Sequence, residues 1–149
     1  MSFSVDANLL LYASDDASPF HERASMALAA IAEGPEIAYL FWPTLVAYLR
    51  IATHPAIFSA PLDHAEAAAN VESLLALPHV RTPGEGERFW ARYRDATTDA
   101  PVRGNLVPDA HLVALMLENG VRTIWTHDRD FRRFDRIEVH DPLALRASG

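Results

Sequence analysis

The sequence predicts an α/β fold, a mostly parallel central sheet of about five strands flanked by helices on both faces. Three observations lead there. Short apolar, β-like runs alternate with helical segments along the chain, a pattern that parallel βαβ crossovers satisfy. The 149 residues and 50% hydrophobic content match one domain able to bury its own core. There is no cysteine, so disulfides, thiolate zinc sites and a cysteine nucleophile are excluded.

Phe3 to Val5 reads as a short buried strand ending in the carboxylate of Asp6, and Leu9-Leu10-Leu11-Tyr12 after it begins a helix. Ser18-Pro19 starts an alanine-rich helix from about Phe20 to Ala32, stopped by Gly34-Pro35. Glu36 to Trp42 is β-like, and Pro43 opens a helix through Thr53 that His54-Pro55 closes. Asp63 caps a helix over His64 to Leu77, with Leu62, Ala65, Ala69, Leu74 and Leu77 as expected buried positions. His79-Val80-Arg81 follows as a short strand, Thr82-Pro83-Gly84 as a turn, and Glu85 to Thr97 as a helix with Phe89, Trp90 and Tyr93 on one side. Thr98 to Pro108 reads as a loop, and Asp109 to Glu118 as a strongly apolar helix ended by Asn119-Gly120. Val121 to Trp125 is a strand, Asp128 to Phe134 a turn or short helix, and Ile137 to His140 the last strand. No repeat, low-complexity tract or linker interrupts this order, so residues 1–149 are expected to form a single domain.

The net charge is −7, with 20 acidic residues against 13 basic ones, which argues against a nucleic-acid binder that works through a broad basic field. Every basic residue is an arginine, however, and Arg122, Arg129, Arg132, Arg133 and Arg136 fall in one C-terminal stretch. The guanidinium fork suits phosphate. The competing reading is a solvated face in which these arginines pair with Asp128, Asp130, Asp135 and Glu138. Apolar runs such as Ile37 to Trp42 and Val113 to Leu117 are far shorter than a membrane span, and no charged leader precedes Phe3. A soluble, cytoplasmic protein is expected.

Ligands of open α/β sheets bind beyond the carboxyl ends of the strands. Asp6 follows the first predicted strand and Asp128 the fourth, while Asp109 opens the helix that leads into the fourth and points to the same rim. Three carboxylates at one rim repel each other unless a cation joins them, and all-oxygen ligation suits Mg²⁺ or Mn²⁺. The chemistry that follows is metal activation of water for phosphodiester hydrolysis. Taken singly, each aspartate has a structural role open to it as a helix or turn cap.

The segments Val5-Asp6-Ala7-Asn8-Leu9-Leu10, Leu106-Val107-Pro108-Asp109-Ala110-His111-Leu112 and Thr126-His127-Asp128-Arg129-Asp130-Phe131 resemble, in order and spacing, the three acidic motifs of PIN domains. The match is closest to VapC toxins, particularly the branch in which Leu49-Arg50-Ile51-Ala52-Thr53 lies in the helix after the second strand. The resemblance implies a PIN-like sheet of order 3-2-1-4-5 and a Mg²⁺- or Mn²⁺-dependent endoribonuclease with Asp6, Asp109 and Asp128 as catalytic metal ligands. It also implies a homodimer silenced by a cognate VapB-type antitoxin. The apolar excess between Ser18 and Leu77 points to a dimer as well.

One position departs from the pattern. PIN domains commonly carry a glutamate in the helix after the second strand, where this chain has Ala47, and no nearby acid has the spacing to replace it. The alternative function is therefore a PIN-fold protein that binds RNA or its antitoxin without cutting. Asn8 and Thr126 are candidates to hold a carboxylate or a metal-bound water, and Asp130 is a weaker acidic candidate. Arg50, Arg129, Arg132 and Arg133 are candidate RNA contacts. His54, His111 and His127 lie near the motifs without a zinc pattern, and Trp42, Trp90 and Trp125 read as core rather than as base-stacking platforms. A haloacid-dehalogenase-like phosphatase and a receiver domain both resemble families that use a lysine, which this chain lacks.

Overall fold

A computed structural model describes residues 1–98 and 100–144; residue 99 of the expected loop and residues 145–149 of the expected single domain lie outside the described residues. Strand β1 (Ser2–Val5) is the middle strand of a five-stranded sheet and leads into α1 (Ala7–Ala13) and α2 (His21–Glu33). One half of the sheet then grows outward through β2 (Ile37–Tyr39), α3 (Trp42–Ala52), α4 (His64–Leu75) and β3 (Val80–Arg81). Helices α5 (Phe89–Thr98) and α6 (Leu106–Glu118) carry the chain back to β4 (Thr123–Trp125) on the other side of β1. A 3-10 turn (Arg129–Arg133) precedes β5 (Glu138–His140). All four pairings are parallel and the order is β3-β2-β1-β4-β5, as predicted.

Side chains alternate across a strand, so consecutive apolar residues serve two different cores. Phe3, Val5, Ala38 and Leu40 pack with Leu9, Leu10, Ile31, Leu45 and Tyr48 of α1 to α3 and with Ala67 and Val71 of α4. Phe41 and Ile124 pack with Ala96 of α5, with Ala110 and Leu112 to Met116 of α6, and with Phe131 and Phe134. Helix α6 buries every residue from Leu112 to Met116, which explains why its sequence is apolar all round. Its end is set by Gly120 at φ 69°, where the Gly120 N–H reaches the Leu117 carbonyl (3.2 Å) and the Val121 N–H the Met116 carbonyl (2.8 Å). That left-handed residue lets the chain leave the helix and enter β4 with its last carbonyls satisfied. Among the described residues no helix is long and apolar enough to cross a membrane.

Several local expectations are corrected. In α4, Ala65 and Ala69 are exposed and Ala67 and Val71 are buried instead, with Leu62, Leu74 and Leu77 partly buried. The stripe through residues 67, 71 and 74 faces inward because Val71 and Leu74 offer more apolar area than alanine and so set the helix phase. Helix α5 starts at Phe89 rather than Glu85, since the Glu118 carboxylate accepts the N–H groups of Gly86 (2.8 Å) and Arg88 (3.1 Å) and holds that segment outside a helix. Helix α6 starts three residues before Asp109, with Pro108 in the first turn, where its missing N–H has no acceptor to lose. Trp125 stacks on Phe3 with centroids 4.0 Å apart and packs on the core. Trp42 and Trp90 do not: they are 48% and 63% exposed, because Phe89, Tyr93 and Ala96 take the inward stripe of α5 and Thr44, Leu45 and Tyr48 that of α3.

Candidate metal centre

The chain builds outward from β1 to β3 and returns on the opposite side of β1 as β4, so the loops leaving β1 and β4 diverge at their carboxyl ends. Such a switch point leaves a crevice at the rim. Asp6 stands directly after β1, with its N–H donating to the Trp125 carbonyl at 3.0 Å, which ties the two strand ends together. Thr126, His127 and Asp128 follow β4, and Asp109 approaches from the first turn of α6.

One carboxylate oxygen each from Asp109, Asp128 and Asp130 lies within 4.8 Å of the others. Asp130 is brought in by the tight turn after β4, in which its N–H donates to Asp128 Oδ1 at 2.9 Å. Asp6 is not a member of this closest group, although its charge is felt at Asp109 and it feels that of Asp128. Its Oδ1 accepts the Ala7 N–H as the cap of α1 (2.8 Å), and its Oδ2 accepts the Thr126 hydroxyl (2.8 Å). The expected trio of Asp6, Asp109 and Asp128 thus becomes a close group of Asp109, Asp128 and Asp130 with Asp6 alongside. Asp130, the weaker acidic candidate of the sequence, thus stands beside Asp109 and Asp128, while Ala47, at the family's usual glutamate position, is half-buried on α3.

Electrostatics reflect this crowding. The Asp109 carboxyl is pushed up to about 7, first by burial and then by the negative charges of Asp128, Asp6 and Asp130. Asp6 is also raised, because burial outweighs the hydrogen bonds from Thr126 and Ala7 and Asp128 adds its repulsion. Three carboxylates without a sulfur or imidazole among them suit a hard, oxygen-seeking divalent cation.

Thr126 is fully buried and links the loops: besides donating to Asp6, its hydroxyl accepts the Asp128 N–H (2.9 Å) and the Asn8 amide (3.3 Å). His127 Nδ1 is 2.8 Å from Asp141 Oδ2, and its ring packs 4.7 Å from that of Phe20. Asp141 was not singled out from sequence, although it directly follows β5 and so stands at the same rim by the same strand-end reasoning. His111 bonds Glu85 (2.7 Å) and His54 accepts the Ala56 N–H (3.1 Å).

Arg129, Arg132 and Arg133 are exposed on the 3-10 turn. None of them has an ion-pair partner among the described residues, so the solvated-face pairing weighed for them is not formed there. Arg50 is exposed in the last turn of α3, at the end of the helix farther from the rim.

The family model described as PIN domain matches residues 4–137. Ribonuclease VapC48 of Mycobacterium tuberculosis is 46% identical over 144 residues, covering 97% of this chain and 99% of its own. In structure, the chain is similar to VapC20 of Mycobacterium tuberculosis, described as a Sarcin-Ricin loop cleaving toxin, with TM-score 0.68, 17% identity and coverage of 93% and 99%. It is also similar to VapBC2 from Rickettsia felis, solved bound to a DNA fragment from their promoter, with TM-score 0.68, 12% identity and coverage of 94% and 98%.

Proposed function

Because the chain belongs to the PIN domain family, and within it to the VapC ribonucleases, we propose that it is the endoribonuclease toxin of a toxin–antitoxin pair, cutting RNA with a Mg²⁺ or Mn²⁺ ion held by Asp109, Asp128 and Asp130 beside Asp6. The observation that carries the metal-dependent part is the approach of three carboxylates within 4.8 Å at the switch point of the sheet. A divalent cation there supplies Lewis acidity toward the phosphodiester and lowers the pKa of water. Asp109 gives up its proton to become a ligand. Thr126 keeps the Asp6 carboxylate turned to the rim and the Asp128 backbone in place. The unpaired guanidinium groups of Arg129 and Arg132, with Arg133 beyond, orient the RNA backbone.

Two further surfaces support the expected partners. An apolar cleft of about 470 Å³ between α1, α2, α3 and α4, lined by Leu10, Leu28, Tyr48, Leu62, Leu74 and Leu77, suits an apolar segment of a VapB-type antitoxin. Trp42 and Val46, one turn apart on α3 and both exposed, suit the isologous contact of a homodimer. The glutamate missing at Ala47 favours a second reading, a PIN-fold protein that binds RNA or antitoxin without cutting. One experiment separates the two. RNA is incubated with the protein across a Mn²⁺ titration, and Asp109→Asn is run in parallel. Cleavage that follows Mn²⁺ and disappears in the variant is the expected result; intact RNA at saturating Mn²⁺ gives the second reading.

A further inference from the structure

A cavity of about 110 Å³ opens beside the carboxylate group, between the loops that leave β4 and β5. Thr126, His127 and Asp128 form one side, Val139, Asp141 and Ala144 another, and Arg129 and Arg132 also line it. Its walls are fixed. The His127 ring is held by Asp141 and by the face of Phe20, and Asp141 in turn accepts the Leu143 N–H at 2.9 Å. The two acids of the lining have partners of their own: Asp141 Oδ2 lies 2.8 Å from His127 Nδ1, and Asp128 Oδ1 accepts the Asp130 N–H at 2.9 Å. Arg129 and Arg132 have no ion-pair partner among the described residues.

Two guanidinium groups that form no ion pair among the described residues, at a cavity that shares Asp128 with the metal centre, offer their donors to an anion. We propose that this cavity receives the RNA phosphate adjacent to the scissile one, and that Arg129 and Arg132 are the positioning residues that hold it. The inference rests on the reading that the carboxylate group cleaves RNA. Arg132 lies one helical repeat of the 3-10 turn from Arg129, so both side chains leave the same edge of that turn. A phosphate seated there fixes the strand on the β5 side of the crevice, and the next phosphate along the strand falls at the carboxylates. Arg133, on the same turn, does not line the cavity.

The test uses the whole protein and a short fluorescent single-stranded RNA of mixed sequence. Anisotropy is followed with Ca²⁺ present to occupy the carboxylates, for wild type, for Arg129→Ala/Arg132→Ala, and for Arg122→Ala. Arg122 precedes β4 at the opposite end of the sheet and controls for the loss of positive charge. The double variant is expected to bind at least roughly tenfold more weakly, and its slope of log affinity against log salt to fall by about 0.7 for each phosphate that is no longer neutralised. With Mn²⁺, its KM is expected to rise by a similar factor while kcat stays within about twofold, the mark of weakened binding rather than impaired chemistry. Arg122→Ala is expected to match wild type. Wild-type affinity and salt slope in the double variant, or an equal loss in Arg122→Ala, overturns the phosphate site. Wild-type protein that leaves RNA intact in Mn²⁺ defeats the cleavage reading instead, and the anisotropy comparison still scores the cavity on its own.

Discussion

The Thr126 hydroxyl donates to Asp6 Oδ2 across 2.8 Å, joining two residues that lie 120 apart in sequence. The same oxygen accepts the Asp128 N–H and the Asn8 amide, so one small side chain ties the end of β1 to the end of β4. Removing it leaves buried polar groups without partners and frees the loop that presents Asp128. Thr126→Ala is therefore expected to destabilise the fold by about 1–3 kcal/mol and to reduce metal affinity or cleavage by roughly 10–100-fold. Thr126→Ser, which keeps the hydroxyl, should recover most of both. Thermal melts and Mn²⁺ titration of the two variants check this, and equal behaviour of alanine and serine would show that the hydroxyl is not what matters.

Asp109 gives the metal-free protein a characteristic pH dependence. Its carboxyl titrates near about 7 when folded, against an ordinary value of 3.8. The folded value is raised, so its contribution to stability is present in full below the ordinary value and is lost as pH rises through the folded one. In chelator, wild type should lose stability relative to Asp109→Asn as pH rises from about 4 to 7, by on the order of 1–2 kcal/mol once solvent screening at this half-exposed group is allowed for. Denaturant unfolding at several pH values measures the difference.

Metal binding should show the opposite trend with pH. A cation competes with the Asp109 proton, so Mn²⁺ affinity should tighten by roughly tenfold per pH unit and level off above about 7. Calorimetric titration in buffers of different ionisation enthalpy reports both the slope and the proton released. A pH-independent affinity would remove Asp109 from the ligand set.

Asp130 supplies the third carboxylate of the close group, in a chain that has Ala47 where a glutamate is common in the family. Asp130→Asn keeps the shape of the exposed turn and removes one charge. Mn²⁺ affinity should fall by roughly tenfold, and the Asp109 carboxyl should move back toward its ordinary value as one of its three repelling neighbours is neutralised. An NMR titration of the Asp109 carboxyl carbon reads the second effect directly, and an unchanged midpoint would mean the two groups do not share a site in solution.

The homodimer proposal is tested on α3. Trp42 and Val46 are 48% and 57% exposed and one turn apart, so a charge on that face opposes burial against a second copy. Val46→Glu is expected to shift the light-scattering mass from dimer to monomer at micromolar protein while the melting profile of the monomer fold persists. Wild type that is already monomeric at that concentration would refute the proposal.

Much of this protein is legible in its sequence because the signals are local. Turn residues such as Gly34-Pro35 and Asn119-Gly120, the cap at Asp63, and runs such as Phe3 to Val5 specify their own segments, and their alternation leaves a parallel sheet as the consistent arrangement. The strand-end positions of Asp6 and Asp128 follow from the same reading. Tertiary structure decided what depends on facing surfaces. The phase of α4 was set by Val71 and Leu74 against α3, and Trp42 and Trp90 were left outside because smaller neighbours filled the inward stripes. Asp6 was turned toward Thr126, and Asp130 was folded back beside Asp109 and Asp128. Asp141 met His127 only because β5 lies alongside β4. A carboxylate's neighbours are set by distances of a few ångströms between side chains far apart in the chain, and no periodicity along the sequence encodes those distances.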